Sequence, residues 1–590
     1  MTTAHNLLAK GYFPKELPPA FSTERFASYA MSPKGRKVLA AYQPHGNFTD
    51  CVPFSLAVPG ALRRELGIPH PASFTDLALL TTKHFRRLLR QAGKSKFSKS
   101  RPVYSATAHR AFVTLFKPSN LARERAVSRG GGSYLVKTDI SHFYPSLYTH
   151  AVGWAVNPAS RHKKNWRNTK LLGKQLDTAL MNMQGKVSQG IPIGNDVSYL
   201  LAEIVLGQVD RALGIDQSRA YRWFDDYEVS CDSVAEAETV LADLTKELRR
   251  FRLRLNQSKT SIRELPVSAH DEWQRELQLA SGASFNSPNV VVAYFDTAFR
   301  LGRQYPGAAV MNYALGLLFR LSRPQQHLEA VFVSGISQAL LAEPGVAQKA
   351  FSLLSFWILN GLALDRALLA RTINQILTRH MASGVSSDVA WALGFCLEHR
   401  LVLSPQSAKI LANCEDDCIA LQALDCHAQG LLPRGFSTKA FSRLLKEVDL
   451  DGTHWLLGYE AARHGFLSDS LPAVRSNGLF SDLLAHRITF YRRRLPRYAA
   501  VIHPGGAPSW LVGLWLDVVR SRRDLPPGKR EALMRMNAFQ MFAEDVGTND
   551  MLGSSLSTEE TVASLLELQD DDTPALSPRS FVGIDSYGRE

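Results

Sequence analysis

Cysteine is scarce in this chain: six in 590 residues, at positions 51, 231, 396, 414, 418 and 426. That is too few for a disulfide framework and fits a reducing cytoplasm. Cys414, Cys418, Cys426 and His427 lie near one another, but in an apolar helical pattern where cysteines four apart are packing residues. Structural zinc sites use tighter paired spacings. Long hydrophobic runs are missing too. No stretch of eighteen apolar residues occurs, and the start of the chain has no charged region followed by an apolar one, so neither a membrane span nor a secretory signal is expected. Acid is in deficit: 54 Asp and Glu stand against 69 Lys and Arg, a formal charge of +15 that points to a polyanionic partner. The hydrophobic share, 45%, is ordinary for a globular chain, and 590 residues suggest two to four domains.

The most informative stretch is Ala220-Tyr-Arg-Trp-Phe-Asp225-Asp226-Tyr-Glu-Val-Ser230. Aromatic and β-branched residues flank two adjacent carboxylates with no Gly or Pro. The pattern predicts a strand, a two-residue tip at the Asp pair and a returning strand. Asp-Asp is unusual turn chemistry, because hairpins favour Asn-Gly or Asp-Gly. Two neighbouring like charges repel unless a cation sits against them. An acidic surface turn is the plainer alternative, and what tells against it is a second carboxylate. Ser133-Tyr-Leu-Val-Lys-Thr-Asp139-Ile-Ser-His-Phe-Tyr144 predicts a strand that delivers Asp139 at its end, with two aromatics shortly after. Hard carboxylate oxygens in such a set suit Mg²⁺, which fills its remaining positions with water and phosphate.

These residues resemble those of reverse transcriptases. Asp139 matches the first catalytic Asp of that family, and Trp223-Phe-Asp225-Asp226 matches its Tyr-x-Asp-Asp box, with Trp in place of the usual Tyr. Gln189-Gly190-Ile-Pro-Ile-Gly194 and Leu255-Asn-Gln-Ser-Lys259 resemble two further boxes, in the family's order. The resemblance implies two Mg²⁺ ions, with Mn²⁺ as an alternative, held by Asp139, Asp225 and Asp226 and by the backbone carbonyl of Ile140. It further implies that Tyr144 screens the sugar 2′ position, that Gln189 and Gly190 lie under the incoming nucleotide, and that Lys259 approaches its phosphates.

Along the chain, residues 1–70 are rich in Pro and aromatics and predict an extended segment draped over another domain. Residues 71–135 form a basic, fingers-like region. From Asp76 to Gly130 there are thirteen Lys or Arg against two acids, which suits a nucleic-acid or triphosphate track. Arg125 and Arg129, just before the Asp139 strand, are the candidate triphosphate ligands. Residues 136–284 predict an α+β palm. Within it Val197 to Leu213 is an apolar helix with an unexpected acid, Glu203, and Arg161 to Lys174 is a basic loop. Residues 285–551 carry successive helical patterns, a large all-α domain that could be a HEAT-like array. Residues 552–590 are a polar, loosely ordered tail.

Within the reverse transcriptases, the closest resemblance is to the bacterial abortive-infection (AbiK-type) and defence-associated enzymes. It rests on Asp139-Ile-Ser-His-Phe-Tyr-Pro-Ser-Leu-Tyr148-Thr-His150 with Trp154, on Gly173-Lys-Gln-Leu-Asp177, and on Gly190 to Ser198. It implies a cytoplasmic bacterial protein that makes DNA from deoxynucleoside triphosphates without a template and protects against phage. It also implies DNA attached covalently to a tyrosine, and trimers or hexamers. Tyr42 and Tyr29 are the candidate priming residues. The alternatives are an RNA-templated enzyme using a bound non-coding RNA, and an inactive nucleic-acid-binding scaffold.

Overall fold

Among the described residues the strands fall into two small ribbons and one larger sheet. In the computed structural model the described residues are 2–60, 63–158, 168–282 and 284–493. Strands β1 (Val52–Ala57) and β2 (Arg63–Ile68) form one antiparallel ribbon, and β3 (Pro102–Tyr104) and β4 (Phe112–Thr114) another. The larger sheet contains β5 (Tyr134–Asp139), β6 (Ala220–Trp223), β7 (Asp226–Cys231) and β8 (Ser261–Glu264), in the order β6-β7-β5-β8. Its neighbours are all antiparallel. Alternation along the strands puts Lys137, Asp139, Asp226, Glu228 and Trp223 on one face, and Val136, Tyr227, Val229 and Arg222 on the other.

The second face is buried against the helix Asp196–Leu213, which starts where the Asn195 side chain accepts from the Ser198 amide (2.8 Å). Its unexpected acid has a partner. Arg222, fully buried, donates to Glu203 (2.7 and 3.1 Å) and to Asp210 (2.8 Å), and the Tyr227 hydroxyl donates to Asp210 as well (2.8 Å). Two carboxylates share one guanidinium, the arrangement that makes burial of such charges tolerable. The helices Thr149–Val156 and Leu172–Asn182 cross at Gly153 and Gly173. A Cβ on Gly173 would lie 2.3 Å from the Gly153 carbonyl oxygen, so only glycine permits the crossing.

From Glu272–Gly282 to Gly478–Ala485 the chain is a succession of helices. Many pack against the next but one: Pro288–Gln304 on Glu329–Ala342 and then Arg366–Ala382 in one row, and Ala347–Leu359, Ser386–His399 and Asp417–Ala428 in the other. This two-row stacking buries the helical core between neighbouring helices. Cys414, Cys418 and Cys426 are buried inside it. The Ser386 and Ser387 hydroxyls accept from the amides of Ser55 (3.2 Å) and Ala57 (2.9 Å), capping the edge of β1.

The first 50 residues correct one expectation. Residues 11–23 are irregular, as their prolines require, but Thr3–Lys10, Glu24–Met31 and Pro33–Ala41 are helices. The segment is nonetheless draped over its neighbours. Its Gly11 carbonyl accepts from Asp196 (2.8 Å) and its Glu16 carbonyl from the Trp391 indole (2.8 Å), while the Phe21 ring packs on Tyr491. Residues 2–493 belong to one compact unit. Residues 159–167 of the basic loop, and the last helical patterns and polar tail from 494 onwards, lie outside the described residues. No helix among the described residues is long and apolar enough to cross a membrane.

Candidate active site

Asp139 ends β5 and Asp226 begins β7, and the two are direct partners in the antiparallel register. Trp223 pairs with Asp226 across the β6–β7 hairpin, so its two-residue tip is Phe224-Asp225 rather than the Asp pair. The shift by one residue puts Asp226 in the ladder beside Asp139 and leaves Asp225 at the turn. Phe224 takes a left-handed φ of 52°, a conformation that disfavours any residue with a Cβ. It is held there from two sides. The Ser100 hydroxyl accepts from its amide (2.7 Å), and the buried Arg222 donates to its carbonyl (2.8 Å). The polar network beneath the sheet thus fixes the position of Asp225. The Asp225 carbonyl accepts from the Ile140 amide (3.3 Å), and the Asp139 carbonyl from the Asn256 amide (2.7 Å). Ile140 forms an antiparallel bridge with Leu255, which binds the loop carrying Lys259 to the same strand end.

The electrostatics are those of crowded acids. Burial, then Asp139 and Asp226, push the Asp225 carboxyl up to about 6. Asp226 is raised by burial and by Asp139, with Lys259, Lys137 and Arg125 opposing. Asp139 is 5% exposed, and among the described residues its one ion-pair partner is the Lys259 ammonium, whose own proton affinity is raised chiefly by that hydrogen bond. Among the described residues no three His, Cys, Asp or Glu side chains form a ready-made metal cage. What does fit a hard divalent cation is the donor set: three carboxylates gathered at adjoining strand ends, Asp139 and Asp226 paired in register and Asp225 at the turn beside them. A cation would remove their repulsion, and it would have to displace Lys259 from Asp139.

The other expected residues divide into those the structure gathers here and those it places elsewhere. Tyr144, half-buried, follows Asp139 on the short helix Phe143–Ser146, and its hydroxyl is raised by burial and by the charge of Asp225. Gly190 lies against that helix. Its φ is +81° and a Cβ there would come within 3.2 Å of the Pro145 carbonyl oxygen, while the next amide, Ile191, donates to the Tyr144 carbonyl (3.2 Å). Gln189 is exposed beside it. Arg125 and Arg129 reach the sheet, but both hold Glu228, two residues along β7 from Asp226 (3.4 and 2.6 Å). Arg129 also donates to the carbonyls of Val267 and Ser268 (3.3 and 2.8 Å). Tyr29 and Tyr42 are not brought to the carboxylates. The Tyr29 hydroxyl donates to Asp482 (2.6 Å). The Tyr42 hydroxyl donates to Asp451 (2.5 Å) and accepts from Asn477 (3.0 Å). Burial raises both phenols.

Sequence reasoning missed Glu228, Arg222, Ser100 and Arg64. Arg64, exposed on β2, acts electrostatically on both Asp225 and Tyr144. None carries a local signal except Arg222, a charged residue at a position whose strand neighbours are aromatic.

No protein-family model and no curated protein matches the chain. Among solved structures it is similar to apo telomerase from Candida tropicalis at 10% identity and TM-score 0.29, over 60% of this chain and 67% of that one. It is also similar to telomerases solved with a fragment of telomeric RNA. For the C. tropicalis protein the values are 11% identity, TM-score 0.26 and 61% and 64% coverage. For the Candida albicans protein they are 10%, 0.26 and 71% of each chain. Likeness at this level leaves the functional reading to the carboxylate geometry.

Proposed function

We propose that the chain is a nucleotidyltransferase of the reverse-transcriptase type that builds DNA from deoxynucleoside triphosphates. The observation that carries the proposal is the pairing of Asp139 with Asp226 at adjoining strand ends, with Asp225 fixed at the turn beside them. Asp139, Asp225 and Asp226, with the Ile140 carbonyl, would hold two Mg²⁺ ions, or Mn²⁺ in their place. Such ions, when bound, activate an attacking hydroxyl and neutralise the leaving diphosphate. The chain's own residues do the rest. Tyr144, near enough to Asp225 to feel its charge, excludes a ribose 2′-hydroxyl. Gly190, which admits no side chain, leaves room for the nucleotide beside Gln189. Lys259, now on Asp139, is placed to move onto phosphate oxygens.

The finer reading is an abortive-infection enzyme that acts without a template, primes on a tyrosine and assembles as a trimer or hexamer. Two of the sequence stretches that support it meet in the fold: His150 bonds Asp177 at 2.8 Å. If Tyr29 or Tyr42 is the primer, its hydroxyl must first leave its carboxylate partner.

The test is incubation of the purified protein with Mg²⁺ and labelled deoxynucleotides, without primer or template, followed by a denaturing gel. Label that survives boiling and is released by protease supports protein-primed synthesis. Loss of incorporation after RNase treatment points instead to a bound RNA template. Incorporation only with a primed template supports an ordinary templated enzyme, and none under any condition overturns the polymerase reading in favour of a scaffold. Tyr144→Ala should admit ribonucleotides, and unchanged sugar selection would refute the role given to Tyr144.

A further inference from the structure

The loop from Phe251 to Thr260 has two sides. One side carries Asn256 and Lys259 into the carboxylate site. The other lines a cavity of about 1080 Å³ with Arg249, Arg252, Arg254, Thr245, Gln257 and Tyr148. No Asp or Glu lines the cavity, and among the described residues none of its three arginines forms an ion pair. All three are exposed. The guanidinium of Arg252 lies 5.5 Å from the centre of the Tyr148 ring. Three cations without counter-charges, beside hydroxyl, amide and phenol groups, form a receptor for a multiply charged anion. Arginine forks match phosphate oxygens in particular.

The backbone fixes where Arg252 stands. The helix Val234–Arg250 ends in a Schellman motif: the Leu253 amide donates to the Leu248 carbonyl (3.0 Å) and the Arg252 amide to the Arg249 carbonyl (3.0 Å). The residue between these bonds must be left-handed, and Arg252 has a φ of 61°. Glycine is the usual residue there because it has no Cβ to strain. The chain places an arginine there, as it does at Arg400 and Arg487, and in this case the position lines the cavity. The carbonyl end of a helix repels anions, but here its carbonyls are occupied by the motif, and three guanidinium charges outweigh the partial charge of a helix end.

We infer that this cavity binds the polyphosphate chain of a nucleotide, as the incoming triphosphate or as the diphosphate released by transfer. Its role in turnover rests on the proposed nucleotidyl transfer, but the binding itself does not. The cavity adjoins the carboxylate site through the loop itself: Arg254 accepts from the Ser141 amide (2.9 Å), and Thr260 bonds Thr138, next to Asp139 (2.7 Å).

Calorimetric titration of the full-length protein in EDTA isolates this site, because without metal the three carboxylates repel the ligand. Inorganic pyrophosphate should bind one site per chain. Arg252→Gly should weaken binding at least tenfold while the melting temperature stays the same or rises, since glycine relieves the left-handed residue. Arg254→Gln should weaken it as well, and Arg252→Lys should restore part of the affinity. A deoxynucleoside triphosphate that binds as pyrophosphate does, and is equally weakened by Arg252→Gly, supports recognition of the chain from either source. Tighter binding of the triphosphate identifies the incoming nucleotide, and tighter binding of pyrophosphate identifies the product. Equal affinity of wild type and Arg252→Gly for pyrophosphate overturns the inference. So does failure to bind pyrophosphate while a single-stranded oligonucleotide binds and is lost with Arg252→Gly, because the cavity would then be a strand path. An inactive protein that still binds pyrophosphate would refute the polymerase reading and leave this one standing.

Discussion

The three carboxylates at the strand ends of the palm and three buried carboxylates of the helical region, Asp417, Asp425 and Glu460, live in opposite surroundings. In the helical region each of these three accepts from at least two donors. Asp417 accepts from the Leu457 amide (2.8 Å) and His454 (2.7 Å), Asp425 from the Tyr491 hydroxyl (3.0 Å) and Arg493 (2.9 Å), and Glu460 from the Thr489 hydroxyl (2.8 Å) and the Phe490 amide (2.5 Å). At the palm edge Asp225 and Asp226 are pushed up by burial and by neighbouring carboxylates, while Lys259 is bonded to Asp139. Acids supplied with donors stabilise a fold; acids crowded on each other hold charge ready for a ligand. Arg222 stands between the two cases, since its pairs are structural but it holds the tip that carries Asp225.

That contrast can be broken by substitution. The largest effect is expected for Asp225→Ala with Asp226→Ala. Synthesis should fall at least about 10⁴-fold, more than about 5 kcal/mol on the barrier, while the circular-dichroism melt is unchanged or higher. Survival of synthesis at the wild-type rate would remove these residues from catalysis. Next is Arg222→Met, which leaves Glu203 and Asp210 unpaired in the interior and should cost about 3–5 kcal/mol in urea denaturation. A loss under about 1 kcal/mol would mean that the network is solvated. Asp417→Ala, in the array, strands the Leu457 amide and should cost about 2 kcal/mol with the polymerase rate per folded molecule unchanged.

The smallest effect has the opposite sign. In the fold Asp225 holds its proton up to about pH 6, above the ordinary carboxylate value near 4. Its contribution to stability is therefore complete below about pH 4 and is lost as the pH rises through about 6. Asp225→Asn should then stabilise the protein by about 1 kcal/mol at pH 7.5 and by nothing at pH 4. Mg²⁺ should raise the melting temperature of the wild type at pH 7.5 more than that of the variant. Equal melting at both pH values would show that Asp225 is not crowded.

The carboxylate site was the most legible part of the sequence, because a strand that ends in Asp and a hairpin bearing two more are local patterns. Gly190 was legible for the same reason. The tip position was not, since whether Asp225-Asp226 or Phe224-Asp225 turns the chain depends on pairing with β5. Arg125 and Arg129 looked like free cations because their partner, Glu228, is about a hundred residues away. In the first 50 residues the prolines drew attention to residues 11–23, while the flanking helices of eight or nine residues carry too few turns for a strong periodic signal. The array was legible as helices, but which helix stacks on which depends on contacts between elements and not on any one of them.

The N-terminal segment has a consequence for the order of events at the ribosome. Glu24 is held by Arg492, Tyr29 by Asp482 and Phe21 by Tyr491, contacts that span more than 450 positions of chain. This segment is made long before those partners and therefore waits for them before it can settle. Until about residue 492 has left the exit tunnel, the helix Glu24–Met31 has no final seat. The segment closes the molecule after translation has supplied both halves, a latch set by contact order rather than by any ligand.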